Sequence, residues 1–106
     1  MSVIMMLSMN GDAKKLEEHA AGDREGMQAI VASAKQHGLI AHRFYGSDDG
    51  QIMVVDEWPD EHSFQSFFEE NNARIGPMME AAGVTSEPQP KFWRKLETHD
   101  EVGWGA

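Results

Sequence analysis

The chain has 106 residues, 41% of them hydrophobic, no cysteine, and a formal net charge of −9 from 18 acidic and nine basic residues. This length allows one domain with a small core. The acidity argues against nucleic acid and membrane surfaces as partners, since both attract clustered Lys and Arg. The lack of cysteine excludes disulfides, thiolate catalysis and cysteine-ligated metals. No targeting or membrane-spanning segment is visible, and we expect a cytoplasmic protein.

The first part of the chain predicts a strand followed by helical sequence. Val3–Met9 is almost entirely apolar, which is typical of a strand that is covered on both faces. Asp12–Ala21 has a helical composition, and Asp23 is a candidate N-cap for a second helical stretch over residues 24–37. Gly38 stands where a helix commonly ends. The pattern leaves open whether these residues form two short helices or one kinked helix.

A β-hairpin is predicted next. Leu39–Tyr45 is a strand candidate, Asp49-Gly50 is a strong turn signal, and Ile52–Val55 is a second apolar strand.

The length of the hairpin loop fixes which residues of its two strands face each other. A two-residue Asp49-Gly50 turn predicts that Arg43 lies opposite Asp56 and His42 opposite Glu57. A four-residue loop would move the register by two residues and break both pairs.

Beyond the hairpin, Pro59 ends the strand and Asp60 can cap a helix. Phe64, Phe67 and Phe68 follow at spacings of three and four residues, which places three rings on one helical face.

The C-terminal third predicts an interrupted helix and a last strand. Ile75-Gly76-Pro77 disrupts the helical pattern, and a helix can restart near Gly76. Residues 91–98 alternate as a strand does. Residues 99–106 form a tail that carries Trp104.

The element order is β-α-β-β-α-β, which predicts a single α+β domain over residues 1–98 with the ferredoxin-like fold: a four-stranded antiparallel sheet with its helices on one face. Because the first and third strands are apolar on both faces, the face without helices needs a cover. A second copy of the same sheet is the simplest one, so we expect a homodimer.

One stretch resembles a known family. Residues 54–58, Val-Val-Asp-Glu-Trp, are followed by Glu61-His62-Ser63-Phe64 and Phe67-Phe68. This is similar to the strand-then-helix pattern of the antibiotic-biosynthesis-monooxygenase (ABM) domains of the dimeric α/β-barrel superfamily. The resemblance implies a homodimeric α/β barrel and a cofactor-independent monooxygenase, in which an electron-rich aromatic substrate reacts with oxygen inside a dry pocket.

A bound cofactor is not expected. The haem-degrading branch of the superfamily implies an axial histidine where this chain has Pro77 or Met78. A metal ion needs converging ligands, and no two histidines have a typical metal-binding spacing. The five histidines are His19, His37, His42, His62 and His99. We interpret them as solvated or structural, and His42 stands apart because it lies on a central strand.

The candidate site is a ligand pocket for a small hydrophobic or aromatic molecule. Its expected walls are Trp58, Phe64, Phe67 and Phe68. The candidate catalytic or polar contacts are His42, Tyr45 and Asn10.

Two other functions remain open. A non-catalytic structural or stress-related dimer would use these aromatic residues as core alone. An isomerase or decarboxylase would need an inward-facing acid/base pair. The sequence does not supply one, because Asp56 and Glu57 are adjacent on a strand and point to opposite faces.

Overall fold

Four antiparallel strands form one sheet in the order β2-β3-β1-β4, in a computed structural model that describes residues 1–104. The strands are β1 (Val3–Asn10), β2 (Ala41–Gly46), β3 (Gln51–Trp58) and β4 (Lys91–Trp93). The helices are α1 (Ala13–Gly22), α2 (Arg24–Gln36) and α3 (Glu61–Ala81). This arrangement confirms the predicted ferredoxin-like fold, with two helices instead of one between the first two strands.

Three aspartates begin the three helices. Asp12 Oδ1 accepts hydrogen bonds from the Lys14 and Lys15 amides at 2.9 and 3.2 Å. Asp23 accepts from Gly26 N at 3.1 Å, and Asp60 accepts from Ser63 N at 2.8 Å. Each carboxylate satisfies amides that have no partner inside their helix. Because Asp23 starts a new helix directly after Gly22, the region holds two helices.

The two faces of the sheet differ in their cover. On β1 and β3, alternate residues point to the helices and form the buried core together with helix residues. The sheet's share of that core is Met5, Met9, Ile52, Val54 and Trp58. The residues between them, together with the residues of β2 and β4 on the same side of the sheet, form what we call the open face. Its large apolar side chains, all half-buried or exposed, are Ile4, Met6, Tyr45, Met53, Val55 and Trp93.

The register of the hairpin corrects one prediction. His42 lies opposite Asp56, Ala41 opposite Glu57 and Arg43 opposite Val55, so both predicted charge pairs are wrong. The cause is the length of the loop. It consists of the three residues 48–50, whereas the predicted turn consisted of Asp49-Gly50 alone. Ser47 N donates to Gln51 O at 2.9 Å, and Gly50 takes a φ of 84°. A glycine in the left-handed region is typical of three-residue hairpin loops.

The third helix and the last strand also differ from expectation. α3 continues without a break through Pro77. Pro77 is exposed, so water can satisfy the carbonyl that it leaves without a donor, and Gly76 has no Cβ to meet the proline ring. β4 ends at Trp93, which pairs with Ile4, and β1 offers only Val3 beyond that position.

The predicted boundary between the domain and a tail at residues 98 and 99 stays a prediction. Trp104 is fully exposed, and tail residues 105–106 lie outside the described residues. Among the helices of residues 1–104, none combines the length and the apolar character needed to cross a bilayer.

Candidate functional site

A cavity of about 390 Å³ lies between the helices and the covered face of the sheet. Met5, Leu7 and Val54 form part of its floor, and Ile30 and Val31 of α2 form part of its roof. This volume lies within the range that small-molecule sites occupy, and a mostly apolar lining is usual for them. The arrangement suits a ligand of one or two rings.

Aromatic side chains form one wall of the cavity. Trp58, Phe64, Phe67 and Phe68, the four residues predicted as pocket walls, all border it. Trp58 meets Phe64 edge to face at a centroid distance of 5.8 Å, and Phe64 stacks on Phe68 at 5.9 Å. Trp58 and Phe67 are buried, whereas Phe68 is 40% exposed. The wall therefore runs from the core to the surface.

A polar cluster of three side chains also borders the cavity. His42 Nδ1 lies 2.6 Å from Asp56 Oδ1, and Trp58 Nε1 donates to Asp56 Oδ2 at 3.1 Å. The Asp56 residue is only 5% exposed. Each carboxylate oxygen thus has its own nitrogen partner, which offsets the cost of burying the charge.

The cluster fixes the orientation of the His42 ring. An ionised carboxylate only accepts hydrogen bonds, so Nδ1 carries the hydrogen towards Asp56 and Nε2 of the neutral ring is an acceptor. Phe44 packs edge to face against the ring at 5.0 Å. The His42 side chain is 29% exposed and borders the cavity, so it can contact a ligand.

Two predicted polar contacts lie elsewhere. Tyr45 is on the open face, half exposed, and its hydroxyl accepts from Arg43 Nη1 at 3.4 Å. Asn10 Oδ1 accepts from the Ser86 hydroxyl at 2.7 Å, and Asn10 Nδ2 donates to Thr85 Oγ1 at 2.7 Å. These bonds attach the end of β1 to the chain after α3, and neither residue borders the cavity.

The other histidines do not join this cluster. His37 Nε2 contacts the Glu70 carboxylate, and this hydrogen bond holds the pKa of Glu70 below its usual value. His62 contacts Ser66 on the surface of α3. Within residues 1–104, no group of three or more His, Asp or Glu side chains is placed to hold a metal ion.

Sequence reasoning missed Asp56 as part of the site. The predicted two-residue turn placed Asp56 opposite Arg43, whereas the residue opposite Asp56 is His42. Ser47 was the residue that could have indicated a three-residue loop. Its side-chain oxygen accepts a hydrogen bond from Gln51 N at 3.1 Å, which closes that loop. The inward-facing pair of titratable side chains that the sequence did not reveal is His42 with Asp56.

Comparisons with known proteins give matches in structure alone. No family model matches the chain, and no curated protein matches it significantly. SnoaB of Streptomyces nogalater, a cofactor-independent oxygenase, superposes with a TM-score of 0.60 at 14% identity, covering 94% of this chain and 98% of its own. A dimeric ferredoxin-like protein from an uncultured marine organism gives 0.65 at 14% identity, covering 95% and 93%.

A third structure, of an antibiotic biosynthesis monooxygenase, gives a TM-score of 0.59 at 13% identity and covers 91% of this chain and 99% of its own. The resemblance to ABM domains that the residues 54–68 indicated is therefore confirmed at the level of the fold. At these identities the likeness concerns the fold, and the activities named belong to those proteins.

Proposed function

We propose that this protein binds a small hydrophobic or aromatic molecule in the cavity and acts on it as a cofactor-independent monooxygenase. The observation that carries the proposal is an apolar cavity of about 390 Å³ bordered by His42, whose Nδ1 lies 2.6 Å from the buried Asp56 carboxylate. Apolar walls displace water from a bound molecule, and a base at the wall can activate that molecule.

The oxygenase chemistry is supported by the shared fold. In such a reaction dioxygen is the oxidant: one oxygen atom replaces two hydrogens of an activated carbon as a carbonyl, and the other leaves as water with those hydrogens. The substrate supplies the electrons, so the protein needs to bind, orient and deprotonate it. The cavity walls and His42 offer these three roles.

The proposal includes a homodimer through the open face. Met6 is 37% exposed and pairs with half-buried Val55, and Trp93 is 46% exposed and pairs with half-buried Ile4. An apolar sheet face of this kind is stabilised when a second sheet covers it. The marine structure of the same fold is named as dimeric, which supports the same assembly here. The cytoplasm remains the expected location, and cell fractionation tests it.

A second candidate, an isomerase on the same cavity, is favoured by the same acid/base pair. It would move a proton between two carbons of the ligand and consume no oxygen. Oxygen uptake therefore separates the two functions.

The test is native mass spectrometry of freshly purified protein, followed by oxygen uptake with any small molecule that it retains. We expect a dimer of 11.9 kDa chains with added small-molecule mass. Val31→Trp would fill the cavity and remove that mass, whereas Ala32→Trp, exposed on the same helix, would keep it. Equal loading of both variants would contradict the proposed site. Turnover without oxygen uptake would favour the isomerase.

A further inference from the structure

Trp58 and Asp56 border the cavity and are also joined by a hydrogen bond. Trp58 is fully buried, and its indole nitrogen donates to Asp56 Oδ2, while Asp56 Oδ1 faces His42. Each carboxylate oxygen therefore has one nitrogen partner, and His42 itself borders the cavity. Within the described part of the chain, the His42 side chain forms its hydrogen bond through Nδ1, with Asp56 as the partner.

We propose that His42 Nε2 is the proton acceptor of the cavity and that Asp56, itself held by Trp58, is a positioning residue which holds the ring in its Nδ1–H tautomer. The cavity then selects aromatic ligands that carry an ionisable hydroxyl. This inference rests on the proposed function, since it assigns the ligand class of the same cavity.

The proton transfer is balanced without a co-reactant. The ligand O–H bond breaks, a bond forms between that hydrogen and Nε2, and the electron pair stays on the ligand oxygen. Asp56 stabilises the imidazolium that results, because its carboxylate lies 2.6 Å from Nδ1. The apolar walls leave the new phenolate with few other partners, so the ion pair with His42 is strengthened.

Replacement of Asp56 by Asn should exchange the hydrogen-bond donor and acceptor between this residue and His42 Nδ1. The Asn carbonyl can still accept from Trp58 Nε1, which places the amide NH₂ towards His42 Nδ1. Nδ1 then becomes the acceptor, and the hydrogen moves to Nε2. The variant keeps the shape and the hydrogen bonds of the site while it removes the proton acceptor from the cavity.

The experiment uses two probes, 4-nitrophenol and its methyl ether 4-nitroanisole, which differ in the one ionisable proton. With the wild-type protein at neutral pH, we expect binding of both, an increased phenolate absorbance on binding, and tighter binding of the phenol by about 10-fold. His42→Asn can still donate to Asp56 but lacks Nε2, and it should bind the two probes equally. His62→Asn, on the exposed surface of α3, is the matched control and should keep the preference.

Histidine ¹⁵N NMR tests the positioning role separately. The unliganded wild-type protein should show the Nδ1–H tautomer at His42, and Asp56→Asn should show Nε2–H together with loss of the phenol preference. Trp58→Phe removes the indole donor but leaves the carboxylate as an acceptor, so this variant should keep the Nδ1–H tautomer. An unchanged tautomer in Asp56→Asn would overturn the positioning role.

The outcomes separate the inference from the proposed function. A wild-type protein that binds 4-nitroanisole and shows no preference for 4-nitrophenol would overturn the inference and leave the binding site intact. A persisting phenol preference in His42→Asn would likewise overturn it. Binding of neither probe to the wild-type protein would contradict the proposed function itself.

Discussion

His42 and Asp56 face each other across β2 and β3, with Nδ1 and Oδ1 2.6 Å apart. The pair exists because the hairpin loop consists of the three residues 48–50 and not of Asp49-Gly50 alone. With a two-residue turn Arg43 would stand opposite Asp56. The loop between two strands therefore determines which side chain meets the buried carboxylate.

Gly50 should be important for the stability of this loop. Its φ of 84° lies in the left-handed region, which costs an L-residue about 1–2 kcal/mol. Gly50→Ala should lower the free energy of unfolding in urea by about 1 kcal/mol. Gly22→Ala, at the end of α1 where an added Cβ meets nothing within 4 Å, should have no destabilising effect. Equal losses in the two variants would contradict this account of the loop.

Trp58 should be one of the most sensitive positions in the core. It is 0% exposed and packs against Phe64 and Phe67. Trp58→Ala should reduce the free energy of unfolding by about 3–5 kcal/mol, because it leaves a large cavity and removes the indole donor to Asp56. Trp104→Ala, at a fully exposed position, should change it by less than about 0.5 kcal/mol. Chemical denaturation of both variants measures the difference, and similar values would contradict the assigned burial.

Acid should weaken the start of α3 through Asp60. Hydrogen bonds from the Ser63 amide and hydroxyl lower the pKa of Asp60 in the folded protein. A lowered pKa in the folded state stabilises the protein above the unfolded-state pKa of about 3.9, and this stabilisation is lost as the pH falls through the folded-state pKa. Asp60→Asn keeps a cap that does not titrate, so its unfolding free energy should fall less steeply between neutral pH and the acid range. Identical pH profiles would show that Asp60 does not contribute.

A single charged residue on the open face should disrupt the proposed dimer. Met6→Lys places a cation in the proposed sheet-to-sheet contact, where burial of the charge costs free energy. The added charge also reduces repulsion between copies of net charge −9, and we expect the burial cost to be the larger effect. Sedimentation should therefore show a folded monomer for this variant and a dimer for the wild-type protein. Leu96→Lys, which is exposed outside the strands, should remain dimeric. A monomeric wild-type protein at micromolar concentration would contradict the proposed assembly.

Local patterns in the sequence predict much of this fold. Asp12, Asp23 and Asp60 mark where helices begin, and the apolar runs at 3–9 and 52–55 mark the central strands, because caps and hydrophobic periodicity act over a few residues. The spacing of Phe64, Phe67 and Phe68 indicates the aromatic wall for the same reason.

The polar part of the site depends on longer-range geometry. The pairing of His42 with Asp56 changes with one residue of loop length, and strand periodicity does not reveal that length. The continuity of α3 through Pro77 depends on Gly76 and on the exposure of the proline. The cavity itself arises from how α2 and α3 sit above the sheet, which no local pattern encodes.

The methionine methyl groups report directly on whether the cavity binds a small aromatic molecule. The chain has eight methionines, and five of them border the cavity: Met5, Met9, Met27, Met78 and Met79. Met6 and Met53 lie on the open face, and Met1 is exposed. Titration of ¹³C-methyl-methionine protein with 4-nitroanisole should shift the five cavity signals and leave the other three in place. Shifts confined to Met6 and Met53, or no shifts at all, would contradict binding in the cavity.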